Sequence, residues 1–92
     1  MIRSIRHRGL KRLYTRNDRS GVGADYLPRI MTVLDLLDAA RVPKDLDLPG
    51  YHLHPLRGDL QGFWSVRISR NFRLIFRMEN GDVSDVDLID YH

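Results

Sequence analysis

Hydrophobic and polar residues alternate in two neighbouring segments of the second half of the chain. Gly62 to Ile68 and Phe72 to Phe76 are rich in β-branched and aromatic residues, and the polar link Ser69-Arg70-Asn71 joins them. This pattern predicts a β-hairpin with a three-residue loop. The register that gathers the large apolar side chains on one face sets Arg67 opposite Arg73 on the other face.

Two arginines that face each other across a strand pair repel, and such a pair destabilises a sheet by up to about 1 kcal/mol. Packing gives no reason for this placement. A phosphate bound between the two guanidinium groups would give one, because arginine recognises phosphate through two parallel hydrogen bonds.

The first half of the chain predicts one short strand and two helices. Ile2 and Ile5 indicate the strand. The first helix is predicted to have one apolar stripe and a basic outer face. The second is predicted to have Asp25 as its N-cap and to end near Pro43. The apolar residues of the two helices are Leu10, Leu13 and Tyr14, then Leu27, Ile30, Val33, Leu34 and Leu37. Residues 43–50 are predicted to form a loop.

Two further strands are predicted on either side of the hairpin. Tyr51 to Pro55 forms one, with Leu53 directed inward, so that His52 and His54 share the face of the arginine pair. The other runs from the turn Asn80-Gly81-Asp82 to about residue 89.

The register of this last strand depends on the turn. A tight two-residue Asn-Gly turn opposes Leu74 with Asp87. One extra residue in the turn, or a β-bulge, instead pairs Leu74 with Leu88, and we expect this bulged register because it keeps the apolar residues together. It also pairs Phe76 with Val86 and Arg77 with Asp85.

The resulting fold class is α+β in a single domain of residues 1–92. About five strands form a largely antiparallel sheet in the order β-α-α-β-β-β-β, and both helices pack on one face. The other face is predicted to be open and to bear His54, Arg67 and Arg73.

Composition excludes several classes of protein. Hydrophobic residues make up 42% and charged residues 29%, which argues against wholesale disorder. Cysteine is absent, so disulfides and thiolate chemistry are excluded. No apolar run reaches the ~18–20 residues of a membrane span, and the N-terminus is charged rather than signal-like. We expect a cytoplasmic location.

The positive charge of the chain is concentrated in its first 19 residues. Thirteen of the fifteen basic residues are arginine, and residues 1–19 hold seven basic residues against one acid, which gives this segment a charge of +6. Two readings are open: a solvated surface, or an electrostatic footprint for nucleic acid or an acidic partner.

Several motifs resemble the RelE/ParE superfamily of bacterial toxins, and in particular the HigB toxins of type II toxin–antitoxin pairs. The motifs are Leu53-His54-Pro55-Leu56-Arg57-Gly58-Asp59, Gly62-Phe63-Trp64-Ser65, Asn71-Phe72-Arg73-Leu74 and Asp90-Tyr91-His92. The resemblance implies a ribosome-dependent endoribonuclease that cuts translated mRNA in the decoding site. It also implies a HigA-type helix-turn-helix antitoxin, through which the pair would contact operator DNA, and no membrane partner.

Metal-free RNA cleavage needs a base for the 2′-hydroxyl, cations for the phosphoryl oxygens and an acid for the 5′-oxygen. His54 and His92 are the candidates for proton transfer, because histidine exchanges protons near neutral pH. The resemblance implies that His92 is the general acid. Arg57 and Arg73 are the candidate phosphate clamps, and Asp90 would orient a neighbour or accept a proton.

The remaining candidates are Tyr91, which would stack on a base or hydrogen-bond the phosphate, and Arg67 and Arg70, which would bind RNA. Arg57 stands where this family often has lysine. Because a guanidinium group stays protonated, we assign the base role to His54 or Asp90.

Alternatives remain open on the sequence alone. His52 and His54 could bind a metal with Asp90 or His92, although we expect no metal and no other cofactor. A non-catalytic RNA-binding module, or a degenerate toxin acting as antitoxin partner and co-repressor, needs the arginines but not the histidines. Gyrase inhibition, as in ParE-like relatives, would require neither histidine.

Overall fold

The computed structural model describes residues 1–90, so the predictions for Tyr91 and His92 lie outside the described residues. Its helices are α1 (Arg8–Arg16) and α2 (Leu27–Ala39), and its strands are β1 (His54–Pro55), β2 (Trp64–Arg67), β3 (Phe72–Glu79) and β4 (Asp82–Asp90). Two short 3₁₀ turns lie at Pro43–Leu46 and Gly58–Leu60. The strands form one antiparallel sheet in the order β1-β2-β3-β4. The predicted α+β class is confirmed.

Within residues 1–90 the sheet has four strands rather than the predicted five. The predicted first strand is reduced to two isolated parallel bridges to β4, between Ile2 and Val83 and between Ile5 and Val86. Between these bridges the N–H of Asp85 donates to the hydroxyl of Ser4 at 2.8 Å, in place of a backbone carbonyl. A side-chain bond at this point interrupts the ladder, so the segment lies beside β4 without forming a regular strand.

The β2–β3 hairpin follows the predicted register. Trp64 pairs with Phe76 and Val66 with Leu74, and both pairs turn towards the helices. The N–H of Phe72 donates to the hydroxyl of Ser69 at 3.2 Å, which closes the loop. Alternation then places Ser65 and Arg67 on the opposite face.

The β3–β4 connection combines both features that the sequence offered. Asn80 and Gly81 have φ values of 53° and 82°, as a tight two-residue hairpin turn of type I′ requires. A bulge further along, where Asp85 has a φ of 54°, restores the pairing of Leu74 with Leu88. The predicted pairing of Arg77 with Asp85 is wrong, since Arg77 lies opposite Ser84.

The core lies between the two helices and one face of the sheet. Its fully buried side chains include Leu10 of α1, Ile30, Val33 and Leu37 of α2, and Val66, Leu74, Phe76, Val83 and Val86 of the sheet. Within residues 1–90, no helix is long and apolar enough to cross a membrane.

Helix α1 is capped by His7, whose Nδ1 accepts the N–H of Leu10 at 3.1 Å. Two local predictions are corrected. Helix α2 starts after Tyr26 without a side-chain cap, so Asp25 does not have the predicted role. Strand β1 covers two residues rather than Tyr51 to Pro55, because His52 has a φ of 50° and leaves the extended conformation.

Candidate functional site

The sheet face turned away from the helices carries the candidate residues. Residues paired across antiparallel strands share a face, so the register defines two neighbouring rows. His54, Ser65, Ile75 and Asp87 form one row from β1 to β4, and Arg67, Arg73 and Ile89 form the other. We call these seven residues, with Arg77 of β3, the arginine face.

The arginine face is less open than predicted. Ser65 is 1% exposed and Ile75 is 2% exposed, although neither belongs to the core between sheet and helices. Their neighbours in the strands are Arg67, Arg73 and Arg77, all half-buried. Arginine covers apolar surface with its hydrocarbon stem while its charged end stays near water. The face is therefore a buried floor with guanidinium groups around it.

Arg67 and Arg73 occupy directly opposed positions on β2 and β3, as predicted. The Nε of Arg67 donates to the carbonyl of Ser69 at 3.3 Å, and one guanidinium nitrogen of Arg73, Nη1, is buried. Each side chain is thus held close to the sheet. Guanidinium groups are suited to bind an oxyanion such as a phosphate through paired hydrogen bonds.

His54 is exposed and lies opposite Ser65, one strand away from the arginine pair. Its Nδ1 lies 2.9 Å from the backbone carbonyl oxygen of His52. His54 therefore shares this face of the sheet with Arg67 and Arg73, in the row next to theirs.

Arg57 and Arg70 lie at opposite ends of the sheet. Arg57 is exposed and precedes the 3₁₀ turn that follows β1, where it lines an open pocket of about 460 Å³ with Gln61, Phe63 and Trp64. Arg70 is exposed in the hairpin loop, beyond the end of β2 that bears Arg67. His54 lies between them, so a strand of RNA could contact both ends of the face.

Asp90 has a different position from the one its predicted role suggests. It pairs with Phe72, whose ring packs against Tyr26 of the helix-covered side at a centroid distance of 5.0 Å. By register Asp90 belongs to that side of the sheet, at the end of β4 beside the start of β3. Its predicted partners Tyr91 and His92 lie outside the described residues.

The carboxylate that the register does place on the arginine face is Asp87. It lies opposite Ile75, and its Oδ1 accepts the N–H of Leu88 at 2.9 Å. The sequence analysis missed it, although the signal was present: once Leu88 is assigned to the core, alternation directs its neighbours Asp87 and Ile89 to the other face.

A second cationic cluster lies at the Arg57 end of the face and was also missed. The Phe63 ring has the guanidinium carbon of Arg6 5.4 Å from its centroid and that of Arg77 4.5 Å away. The Nε atoms of Arg6 and Arg77 form ion pairs with the carboxylate of Asp85, at 3.5 Å and 3.6 Å. Asp85 has a left-handed backbone, with a φ of 54°, and no sequence pattern predicts that conformation. The cluster joins the N-terminal segment to the arginine face.

Within residues 1–90, no three His, Asp or Glu side chains gather closely enough to hold a metal ion. His52 and His54 are both exposed.

Family comparison connects this geometry to a known class of protein. A family model described as the RelE-like toxin of the type II toxin–antitoxin system HigB matches residues 3–92. The chain belongs to this HigB-like toxin family, which confirms the resemblance seen in the sequence.

Individual relatives agree with the assignment. The chain is 40% identical over 92 residues to Endoribonuclease HigB of Proteus vulgaris, and the match covers 100% of both chains. The YoeB–YefM complex of Staphylococcus aureus contains a chain with the same fold, at a TM-score of 0.62 and 17% identity, covering 100% of this chain and 95% of that one. The Escherichia coli DinJ–YafQ toxin–antitoxin complex contains another, at a TM-score of 0.55 and 19% identity, covering 98% and 90%.

Proposed function

We propose that this protein is the toxin of a type II toxin–antitoxin pair and acts as a ribosome-dependent endoribonuclease on translated mRNA. The observation that carries the proposal is the opposed pair Arg67 and Arg73 on a face that also bears His54. The relative from Proteus vulgaris that carries the name endoribonuclease aligns over the whole chain and supports the same activity.

The reaction uses the RNA's own 2′-hydroxyl as nucleophile. His54 takes the hydroxyl proton, the 2′-oxygen attacks the adjacent phosphorus, and the bond from phosphorus to the 5′-oxygen breaks. The products are a 2′,3′-cyclic phosphate and a 5′-hydroxyl. Arg67 and Arg73 stabilise the charge that develops on the phosphoryl oxygens, with Arg57 as further electrostatic support.

His92 is proposed as the acid that protonates the departing 5′-oxygen, with Tyr91 stacking on a base or hydrogen-bonding the phosphate. Asp90 is proposed to orient one of these neighbours. Side chains supply the base, the cations and the acid, so the proposed reaction needs no metal ion and no other cofactor.

The ribosome and an antitoxin are the proposed partners. Exposed Arg8, Lys11, Arg12 and Arg16 give α1 a basic outer face, which suits the phosphates of ribosomal RNA. A HigA-type helix-turn-helix antitoxin is proposed to neutralise the toxin and to connect it to operator DNA. A solved toxin–antitoxin complex with this fold supports an antitoxin partner.

Purified protein and a defined mRNA test the activity. The mRNA is presented free or threaded through a ribosome, with magnesium kept high and a transition-metal-selective chelator present. Cleavage of only the ribosome-bound mRNA, leaving 5′-hydroxyl ends, is the expected result. Equal cleavage of free mRNA would contradict ribosome dependence, and activity restored only by added zinc would contradict the metal-free mechanism.

A further inference from the structure

His52 has an unusual backbone for its position. It lies two residues before His54 in a segment whose sequence predicts a strand, yet its φ is 50°. Residues other than glycine avoid this left-handed region, although histidine tolerates it better than most. The side chain of His52 is exposed, so burial of that side chain does not explain the conformation. An outlier of this kind next to a candidate catalytic residue calls for a functional explanation.

The conformation directs the carbonyl of His52 at the imidazole of His54. Its oxygen lies 2.9 Å from Nδ1. A carbonyl oxygen only accepts hydrogen bonds, so the nitrogen facing it carries the proton. In the neutral ring the other nitrogen, Nε2, then holds the free lone pair.

We propose that His52 is a positioning residue whose left-handed backbone selects the Nδ1–H tautomer of His54 and leaves Nε2 as the proton acceptor. The source of the proton that Nε2 accepts, the RNA 2′-hydroxyl, rests on the proposed function. The tautomer does not, since it follows from the contact with the carbonyl alone.

The contact also suits the next step of the reaction. When Nε2 takes up a proton the ring becomes a cation, and the Nδ1–H bond to the carbonyl becomes charge-assisted and stronger. The opposite tautomer would present an N–H at Nε2, which cannot accept a proton. Control of the tautomer by the partner of the second ring nitrogen is a general property of histidine sites.

Arg29 of α2 holds the segment that leads into His52. Its Nη2 donates to the carbonyl of Gly50 at 2.7 Å, and its guanidinium carbon lies 4.2 Å from the centroid of the Tyr51 ring. Its Nε donates to the carbonyl of Arg67 at 3.0 Å, and the N–H of Arg67 donates to the carbonyl of Tyr51 at 2.7 Å.

One arginine thus joins the helix to the end of β2 and to the two residues before His52. Because Arg67 belongs to the same set of bonds, the position of His54 is coupled to that of the phosphate-binding pair. Arg29 is therefore a second positioning residue, which acts through the backbone of the segment before His54.

Nitrogen-15 NMR of the histidine rings in the full-length protein tests the tautomer directly and does not depend on an assay of RNA cleavage. The proposal expects protonated Nδ1 and unprotonated Nε2 for neutral His54. Protonated Nε2 would overturn it. If the tautomer is as expected but no variant or wild type cleaves RNA, the proposed function fails while the tautomer stands.

Substitutions at position 52 test the role of the backbone. His52→Val places a β-branched residue where φ is positive and should lower the single-turnover rate by about 10-fold or more, because misplaced groups lose up to about 10²-fold. His52→Gly should restore both rate and tautomer, since glycine adopts this conformation freely. A valine variant that is folded and keeps wild-type tautomer and rate would overturn the proposal. If the valine variant does not fold, His52→Ala is measured in its place, and the same results for rate and tautomer decide the outcome.

Arg29→Lys, compared with Arg41→Lys as a control at an exposed arginine elsewhere, tests the second positioning residue. A lysine ammonium cannot span the two carbonyls that the guanidinium group joins. The single-turnover rate should fall while the ribosome concentration at half-saturation stays constant. A change in that concentration alone, with the rate unaltered, would contradict a positioning role.

Discussion

Arg67 and Arg73 face each other directly across β2 and β3, so that the Cβ atoms of two positively charged side chains lie about 5 Å apart on one face of the sheet. Such a pair costs stability in the free protein and becomes favourable once an anion lies between its members. The same two residues are therefore expected to affect stability and RNA binding in opposite directions.

Arg67→Gln should show these opposite effects. Loss of the repulsion should leave the free energy of unfolding unchanged or raise it by up to about 1 kcal/mol at low salt, as measured by urea denaturation. Affinity for ribosomes carrying mRNA should fall, and the slope of log affinity against log salt should decrease by roughly 0.7 to 0.9 for one lost phosphate contact. Arg41→Gln, at an exposed position away from the face, is the control. Equal effects of the two substitutions would count against a phosphate site at Arg67.

Gly9→Ala should destabilise the protein although it lies in a helix. A Cβ atom at position 9 would meet the backbone of Gly21, because α1 and the loop that follows it touch there. At an ordinary helix position this substitution stabilises by about 0.5–1 kcal/mol, whereas overpacking against backbone costs about 1–3 kcal/mol. Thermal denaturation shows whether the substitution lowers or raises the stability of the fold. A raised midpoint would show that the close approach is absent in solution.

Asp38 should make the fold sensitive to acid. The N–H of Ile2 donates to its carboxylate at 3.1 Å and the hydroxyl of Tyr14 at 2.8 Å, and these bonds lower the pKa of Asp38 below its ordinary value of 3.8. A lowered pKa means that the folded state binds the proton less tightly than the unfolded state. The stabilisation is thus present above the unfolded pKa and is lost as the pH falls through the folded one.

Denaturation of the wild type and of Asp38→Asn at about pH 7 and at about pH 3 measures this contribution. The wild type should be the more stable protein at the higher pH, and the difference should shrink at the lower pH. A difference that is independent of pH would show that the carboxylate charge is not the cause.

His92→Gln should lower single-turnover cleavage of ribosome-bound mRNA by at least about 10²-fold, the usual contribution of a positioned acid. Thermal midpoint, ribosome affinity and antitoxin affinity should stay near those of the wild type, because only proton donation to the leaving oxygen is removed. Normal cleavage by this variant would exclude His92 from the mechanism and make Tyr91 the next candidate for the acid.

Regular alternation was enough to predict the β2–β3 hairpin, including the opposed arginines, because apolar residues on one face leave only one register. It also predicted the pairing of Leu74 with Leu88. The features it missed depend on left-handed residues. His52 shortens β1, and Asp85, which lies in the predicted bulge, forms ion pairs with Arg6 and Arg77 beside Phe63. Such conformations arise from tertiary contacts and have no periodic signature.

The position of the candidate residues was predicted less completely. His54, Arg67 and Arg73 share a face as expected, whereas Asp90 lies by register on the helix side and Asp87 takes a place on the arginine face. Arg29 was not foreseen, since its role depends on a long side chain that crosses from α2 to two separate backbone segments. Sequence spacing carries no information on such a contact.

The central claim is that the arginine face cleaves translated mRNA, and 5′-end mapping of cellular mRNA after brief induction of the protein tests it most directly. The account predicts new 5′ ends confined to translated regions with the wild type, and none with His54→Gln produced at the same level. Intact mRNA in wild-type cells that have stopped growing would contradict it and would favour a toxin that binds without cutting.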